Sequence, residues 1–213
     1  MMKERVLAWY NKTKTDPVLK KSPWKERLPE HVLFYRDGVS ESQHKMVGGS
    51  ECPHIREGCQ EAFKVLQQQK AIPSGQKWNP KLTLLIVTKR HHARFYPFTD
   101  LPKGQEGDMY LDINLKVGTV VSTKVVSPVQ ESFYLQSHHS ALDTARSALY
   151  IVIENDNGYE IDELQKVVSE DFGTFELMIR LLTPTDEQLV LHQRASHEGC
   201  LGLYTSTICR SSL

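Results

Sequence analysis

The chain has 213 residues, its 26 Lys and Arg balance 26 Asp and Glu, and 39% of it is apolar and 24% charged. That is ordinary globular composition, enough for one large domain or two small ones, and zero net charge argues against a free-standing nonspecific nucleic-acid binder, which needs a basic surface. No apolar run is long enough for a membrane span and no signal-peptide pattern opens the chain, so no membrane partner is expected.

Val6, Leu7 and Tyr10 recur at helical spacing, which predicts a short amphipathic helix over Met2–Lys12. Asp16–Pro29, with Pro17, Pro23 and many cations, reads as a loop. "HVLFYRDG" is a buried strand ending at Asp37, where Gly38 breaks it. Ser40 stands three residues before Gln43, a capping-box spacing that opens a helix. Gly48 and Gly49 interrupt that helix, and Pro53 is a good first-turn residue for its resumption. Ile55, Cys59, Phe63 and Leu66 then mark its apolar face. "IPSGQKWNPK" is a turn, Leu82–Thr88 a second buried strand, and Pro97–Gly118 a long polar loop. "TVVSTKVVS", "SFYLQS" and "ALYIVIEND" read as strands, and "IDELQKVV" starts a helix with Asp162 and Glu163 favouring its N-terminus. Helices alternating with β-branched strands predict an α/β fold.

Two strand ends carry the chemistry of interest. Asp37 is either a carboxylate held by the sheet and open to a metal, or a turn aspartate bonding its own backbone. At "LLIVTKRHHARFYP" the strand ends in Lys89, Arg90, His91, His92 and Arg94, followed by Phe95 and Tyr96. The cations can meet phosphates and the rings can stack or pack. Alternatively the cations pair with acids of the next loop, such as Asp100 and Asp108. Cys52, His54 and Cys59, or His192, His197, Cys200 and Cys209, lack a C-x-x-C knuckle, so no zinc site is expected. The four sparse cysteines suit a reducing compartment.

At "LPEHVLFYRDGVSESQ" and "TKRHHARFYP" the chain resembles the Piwi domain of eukaryotic Argonaute proteins. The family's Y-R-D-G-V-S-E-G-Q motif stands here as Tyr35–Gln43, with Ser42 in place of Gly, and its K-R-H-H-x-R-F motif as Lys89–Phe95. "ECPHIREGC" is similar to the family's E-L-P-x-I-R-x-A-C helix, and "GTVVSTKVVSPVQESFYLQSH" to its G-T-V-V-D…H-P…D-F-Y-L-x-S-H block. "DTARSALYIVIEND" resembles G-T-S/A-R-P-x-H-Y…D, with Asp143 and Ser147 in place of Gly and Pro, and "DELQKV" resembles the D-E-L-Q helix. The likeness is collinear from about Lys3 to Val168.

The resemblance implies a partial RNase H-like fold, a mixed β-sheet flanked by helices, over residues 1–168, and a divergent tail over residues 169–213. It implies a family catalytic set of Asp-Glu-Asp with His or Asp, holding two Mg2+ or Mn2+ ions for RNA cleavage. Asp37 matches the second Asp and is the only matched catalytic and metal-holding position. Lys89, Arg90, His91, His92, Arg94, His138 and Arg146 match nucleic-acid-binding positions, where contacts go to the backbone of a guide RNA. The family's first Asp and its Glu belong upstream of the helix resembled by Met2–Tyr10. No family motif follows Val168, and His192 and His197 match no catalytic neighbourhood. The N-terminal, PAZ and Mid domains of the family have no counterpart here.

The expected function is that of a truncated Piwi segment of the RNA-silencing type, binding guide and target RNA without slicer activity on its own. One alternative is a guide-directed, divalent-metal-dependent RNA endonuclease whose other ligands come from a separate chain. Another is an interaction module for tryptophan-containing peptides of a tryptophan-repeat silencing protein, at the helices bearing Val6, Leu7, Tyr10, Ala62 and Leu66; simple core is the competing role of those residues. The expected compartment is the cytoplasm, with the nucleus as a second location.

Overall fold

Met2, Val6, Trp9, Tyr10 and Thr13 form a buried stripe along α1, Met2–Thr15, three residues longer than its apolar spacing predicts. The Thr13 hydroxyl donates to the Tyr10 carbonyl at 2.6 Å, which lets a polar residue extend the buried face. The computed structural model describes residues 1–17, 19–37, 39–97, 114–137 and 144–169, with the backbone of residues 188–192 and 207–208. The expected loop after α1 contains a 3-10 turn, Leu19–Lys21, and a one-turn helix, α2, Trp24–Arg27. β1, His31–Asp37, buries Val32 to Tyr35 without alternation, as a strand covered on both faces does.

Ser40 and Gln43 form the capping box that their spacing predicts, opening a 3-10 turn, Glu41–Gln43. α3, His44–Met46, follows. The break expected at Gly48 and Gly49 does not occur. A π-helical turn, Val47–Glu51, carries the chain straight into α4, Cys52–Gln68. A Cβ on Gly48 would lie 3.2 Å from Ile153 Cγ2, so here glycine admits a close neighbour and does not end the helix. Gly58 is tighter: a Cβ there would stand 2.7 Å from Met2 Cβ, where α1 and α4 pack. The buried face of α4 is Cys52, Ile55, Cys59, Ala62, Phe63 and Leu66. The turn after it is tied by Gln60 Nε2 to the Trp78 carbonyl (2.7 Å) and by Trp78 Nε1 to the Pro29 carbonyl (3.0 Å).

The remaining elements are β2 (Lys81–Thr88), β3 (Val120–Val121), β4 (Ser132–Leu135), β5 (Ala148–Asn155), α5 (residues 161–169), β6 (Gln188–His192) and β7 (Thr207–Ile208). Their sheet order is β3-β4-β5-β2-β1-β6-β7. Thr119–Ser127, expected as one strand, shrinks to two residues. Lys124 adopts φ 64°, and the Val125 N–H closes onto the Thr123 carbonyl at 2.7 Å, a tight turn that no strand allows. α5 starts as expected, with the Glu163 carboxylate accepting from the Glu160 backbone N–H at 3.2 Å.

The chain divides into two compact units. The first comprises Met1–Leu85, Ile153–Gly158 and Asp186–Leu213. In it β1 pairs antiparallel with β6, from His31 against His192 to Tyr35 against Gln188, and β6 with β7. The expected boundary at Val168 thus has strand backbone beyond it. The second comprises Ile86–Val152 and Tyr159–Thr185. Its β3, β4 and β5 are antiparallel, and the cross-strand pair Phe133 and Tyr150 stacks at 5.1 Å. No described helix is long and apolar enough to cross a membrane. Residues 98–113 of the expected polar loop, His138, His197, Cys200, Cys209 and the stretch Phe175–Leu182, which the sequence reads as a helix-like apolar run, lie outside the described residues.

Candidate nucleic-acid interface

In the second unit, β2 releases the chain at Thr88, whose Oγ1 accepts from the Arg90 backbone N–H at 3.3 Å. The segment from Lys89 to Pro97 then lies against β4 and does not hang free. Tyr134 on β4 is 8% exposed, and the rings of His91 and Phe95 meet it in T-shaped contacts, at 5.1 and 4.9 Å between centroids. Phe95 therefore packs, leaving Tyr96, 58% exposed, as the open ring. His91 Nε2–H donates to the Ser147 carbonyl at 2.7 Å. Arg94 Nη1 donates to the carbonyls of His91 (3.1 Å) and Ala93 (2.7 Å), bracing the loop from inside.

Lys89, Arg90 and His92 are exposed, and so is Arg146 between Ala145 and Ser147. Ala145 N–H donates to Asn114 Oδ1 at 2.7 Å, and Ser147 Oγ donates to Gln136 Oε1 at 2.8 Å in a buried contact. Gln136 is itself fixed, its N–H on the Thr119 carbonyl and its carbonyl accepting from Gly118 N–H. The outcome is a basic surface on two pinned loops. Among the described residues Arg90, Arg94 and Arg146 enter no ion pair. The candidate acidic partners Asp100 and Asp108, and the matched His138, lie outside the described residues. Sequence reasoning missed the scaffold of Tyr134, Gln136 and Ser147. Only Ser147, standing where the resembled motif has Pro, left a trace.

In the first unit Asp37 is exposed at the end of β1. Its neighbour Arg36 is held by the π-helical turn: Nε donates to both Glu51 carboxylate oxygens at 3.1 Å, and Nη1 to the Asp37 carbonyl at 2.7 Å. Among the described residues no three His, Cys, Asp or Glu side chains converge on a metal position. The described donors around Asp37 therefore do not fit a two-metal centre. Cys52 and Cys59 are buried on α4, and His54 is turned to the Ser50 carbonyl at 2.5 Å. Burial, then the nearby Glu154 carboxylate, pushes the Cys52 thiol up to about 11, and burial pushes Cys59 up to about 12.

An ion-paired knot in the same unit was also unforeseen. Arg56 Nη2 donates to Glu154 Oε1 at 3.2 Å and to Asp156 Oδ2 at 2.7 Å, and Asp156 Oδ2 accepts from Leu82 N–H at 3.1 Å. Burial acts to raise the Asp156 carboxyl, but the Leu82 N–H and Arg56 outweigh it and hold the group below the usual carboxylate range. Val6, Tyr10, Ala62 and Leu66 are buried, and Leu7 is half-buried.

A family model of the Piwi domain matches residues 17–177. Protein argonaute 4 of Arabidopsis thaliana is 35% identical over 143 residues, which is 67% of this chain and 13% of that protein. Protein argonaute-2 of Drosophila melanogaster is 33% identical over 144 residues, 68% of this chain and 10% of that protein. The chain thus spans 10–13% of the length of these relatives. Among solved structures, the C-terminal lobe of a budding yeast Argonaute superposes with a TM-score of 0.57 at 27% identity, over 74% of this chain and 30% of that one. Kluyveromyces polysporus Argonaute with a guide RNA gives 0.55 at 25% identity, over 78% and 18%.

Proposed function

The chain belongs to the Piwi domain family of Argonaute-like proteins, and from that membership we propose that its two pinned basic loops bind the sugar-phosphate backbone of a small guide RNA or of the target RNA paired with it. The fold is the corresponding part of the RNase H-like α/β fold of Argonaute C-terminal lobes. The observation that carries the reading is the exposed set Lys89, Arg90, His92 and Arg146, on loops held by backbone and ring contacts. Backbone phosphates are read by charge and carry no base information, so the binding is indifferent to sequence.

The family uses divalent metal generally, but this chain's matched carboxylate is Asp37 alone. We take the segment to bind RNA without cleaving it unaided. The endonuclease reading needs metal ligands beyond those this segment supplies. The tryptophan-peptide reading needs an opening among side chains that α1 and α4 bury against each other. RNA binding is the reading favoured by exposed chemistry.

The test is a filter-binding salt titration with single-stranded RNA. Each phosphate neutralised on a single strand contributes about 0.7 to the log–log salt slope, so the four fixed charges Lys89, Arg90, Arg94 and Arg146 give a slope of roughly −3. Removing Arg90 or Arg146 should make it shallower by about 0.7. Slopes identical to wild type in well-folded Arg90→Ala, Arg94→Ala and Arg146→Ala proteins would remove the proposal.

A further inference from the structure

We propose that His91 is a positioning residue that makes the two basic loops act as one phosphate-reading surface, and does not itself touch RNA. This rests on the nucleic-acid reading above and adds which residue assembles the site.

His91 stands in a run of cations, yet it is turned inward while Arg90 and His92 on either side are exposed. Both ends of the residue are in use. Its ring N–H reaches the Ser147 carbonyl at 2.7 Å, and its own carbonyl accepts from Arg94 at 3.1 Å. Its ring packs T-shaped against Tyr134, with 5.1 Å between centroids. Its Nδ1 is buried and has no partner among the described residues, so no ring nitrogen is left at the surface to meet a ligand.

The partner at the far end is equally fixed. Ser147 is anchored to Gln136, and Ala145 to Asn114, so Arg146 sits between two pinned residues. The His91–Ser147 bond is therefore a direct link between the loop bearing Lys89, Arg90 and Arg94 and the loop bearing Arg146. Multi-point backbone recognition gains from such pre-organisation, because ordering the cations is not left to the binding step. The two duties also account for the residue type. Phenylalanine would pack on Tyr134 but not donate, and glutamine would donate but not pack.

The experiment uses the full chain and a labelled oligouridylate, titrated with potassium chloride, with thermal melting of each variant alongside. His91→Phe should bind about fivefold more weakly, the worth of one net hydrogen bond. Its salt slope should be shallower by about 0.7, because one phosphate fewer is neutralised. Arg146→Ala, which costs affinity in wild type, should cost nothing further in His91→Phe. His91→Gln should melt earlier yet keep the wild-type slope. A His91→Phe slope equal to wild type, with Arg146→Ala costing the same in both backgrounds, overturns the inference and leaves the RNA reading standing. If His91→Phe does not fold, a shallower slope in His91→Gln overturns it. A wild-type slope indifferent to Arg90, Arg94 and Arg146 sinks the RNA reading, and this inference with it.

Discussion

Arg94 combines a charge with an internal brace. Its Nη1 holds two carbonyls of its own loop, so truncation removes more than a cation facing phosphate. Arg94→Ala should lower stability by roughly 1–2 kcal/mol, since hydrogen bonds to charged donors are the stronger kind, and should also make the salt slope shallower. Arg94→Lys keeps the charge but not the planar fork. It should retain the slope while losing most of the stabilisation that the two carbonyl bonds contribute, a split that melting and filter binding read separately.

The α4 thiols give a second prediction at this scale. Their folded values, about 11 for Cys52 and about 12 for Cys59, lie above the ordinary 9.0. The native chain should thus resist iodoacetamide at pH 8 at both positions, and label in urea, as peptide mass spectrometry would count. Native labelling of Cys59 at the unfolded rate would contradict its burial. Because both values are raised, their contribution to stability is complete below pH 9.0 and is lost as pH climbs through the folded values. Asp156 has the opposite sign. Its folded value is lowered, so its contribution is present above the ordinary aspartate value of 3.8 and disappears as pH falls through the folded one. Asp156→Asn should flatten the acid limb of a stability–pH curve.

Among the elements, the α1–α4 crossing is the most exacting. A methyl on Gly58 would meet Met2 Cβ and, at 3.3 Å, the Lys3 backbone nitrogen, neither of which is a flexible side-chain end. Gly58→Ala should cost about 1–3 kcal/mol by overpacking, despite alanine's better helix propensity, and a urea titration would measure it. Gly49 has nothing within 4 Å of its would-be Cβ, so Gly49→Ala serves as the control.

The same elements show what apolar spacing reveals. α1, β1, β2, β5 and the apolar face of α4 were legible because each buries a regular stripe or run. The capping box at Ser40 was legible because its chemistry is local. The π-helical turn was not, since two glycines look like a break unless the close neighbour Ile153 is known. The strand expected at Thr119–Ser127 failed because β propensity says nothing of a left-handed Lys124. For the site, exposed cations announced themselves, while the contacts that pin them join residues far apart in sequence, as His91 to Ser147 and Ala145 to Asn114.

At the scale of the whole molecule, Asp37 by itself cannot place two ions. The purified chain should cleave no RNA with magnesium or manganese, even with a guide supplied. Guide-dependent cleavage lost in Asp37→Ala would overturn that expectation and favour the endonuclease reading.

The β1–β6 pairing has a consequence in time. His31 opposite His192 means that one edge of β1 has its strand partner only once synthesis has passed His192 and that segment has left the ribosome. Until then that edge offers unpaired N–H and C=O groups to any other extended chain. Pairing so distant in sequence closes late, because the loop entropy must be met before the strands join. Chains halted during synthesis before Gln188 should therefore self-associate through β1, and a holdase that covers extended apolar segments should raise the yield of the finished protein more than it alters the finished protein's stability.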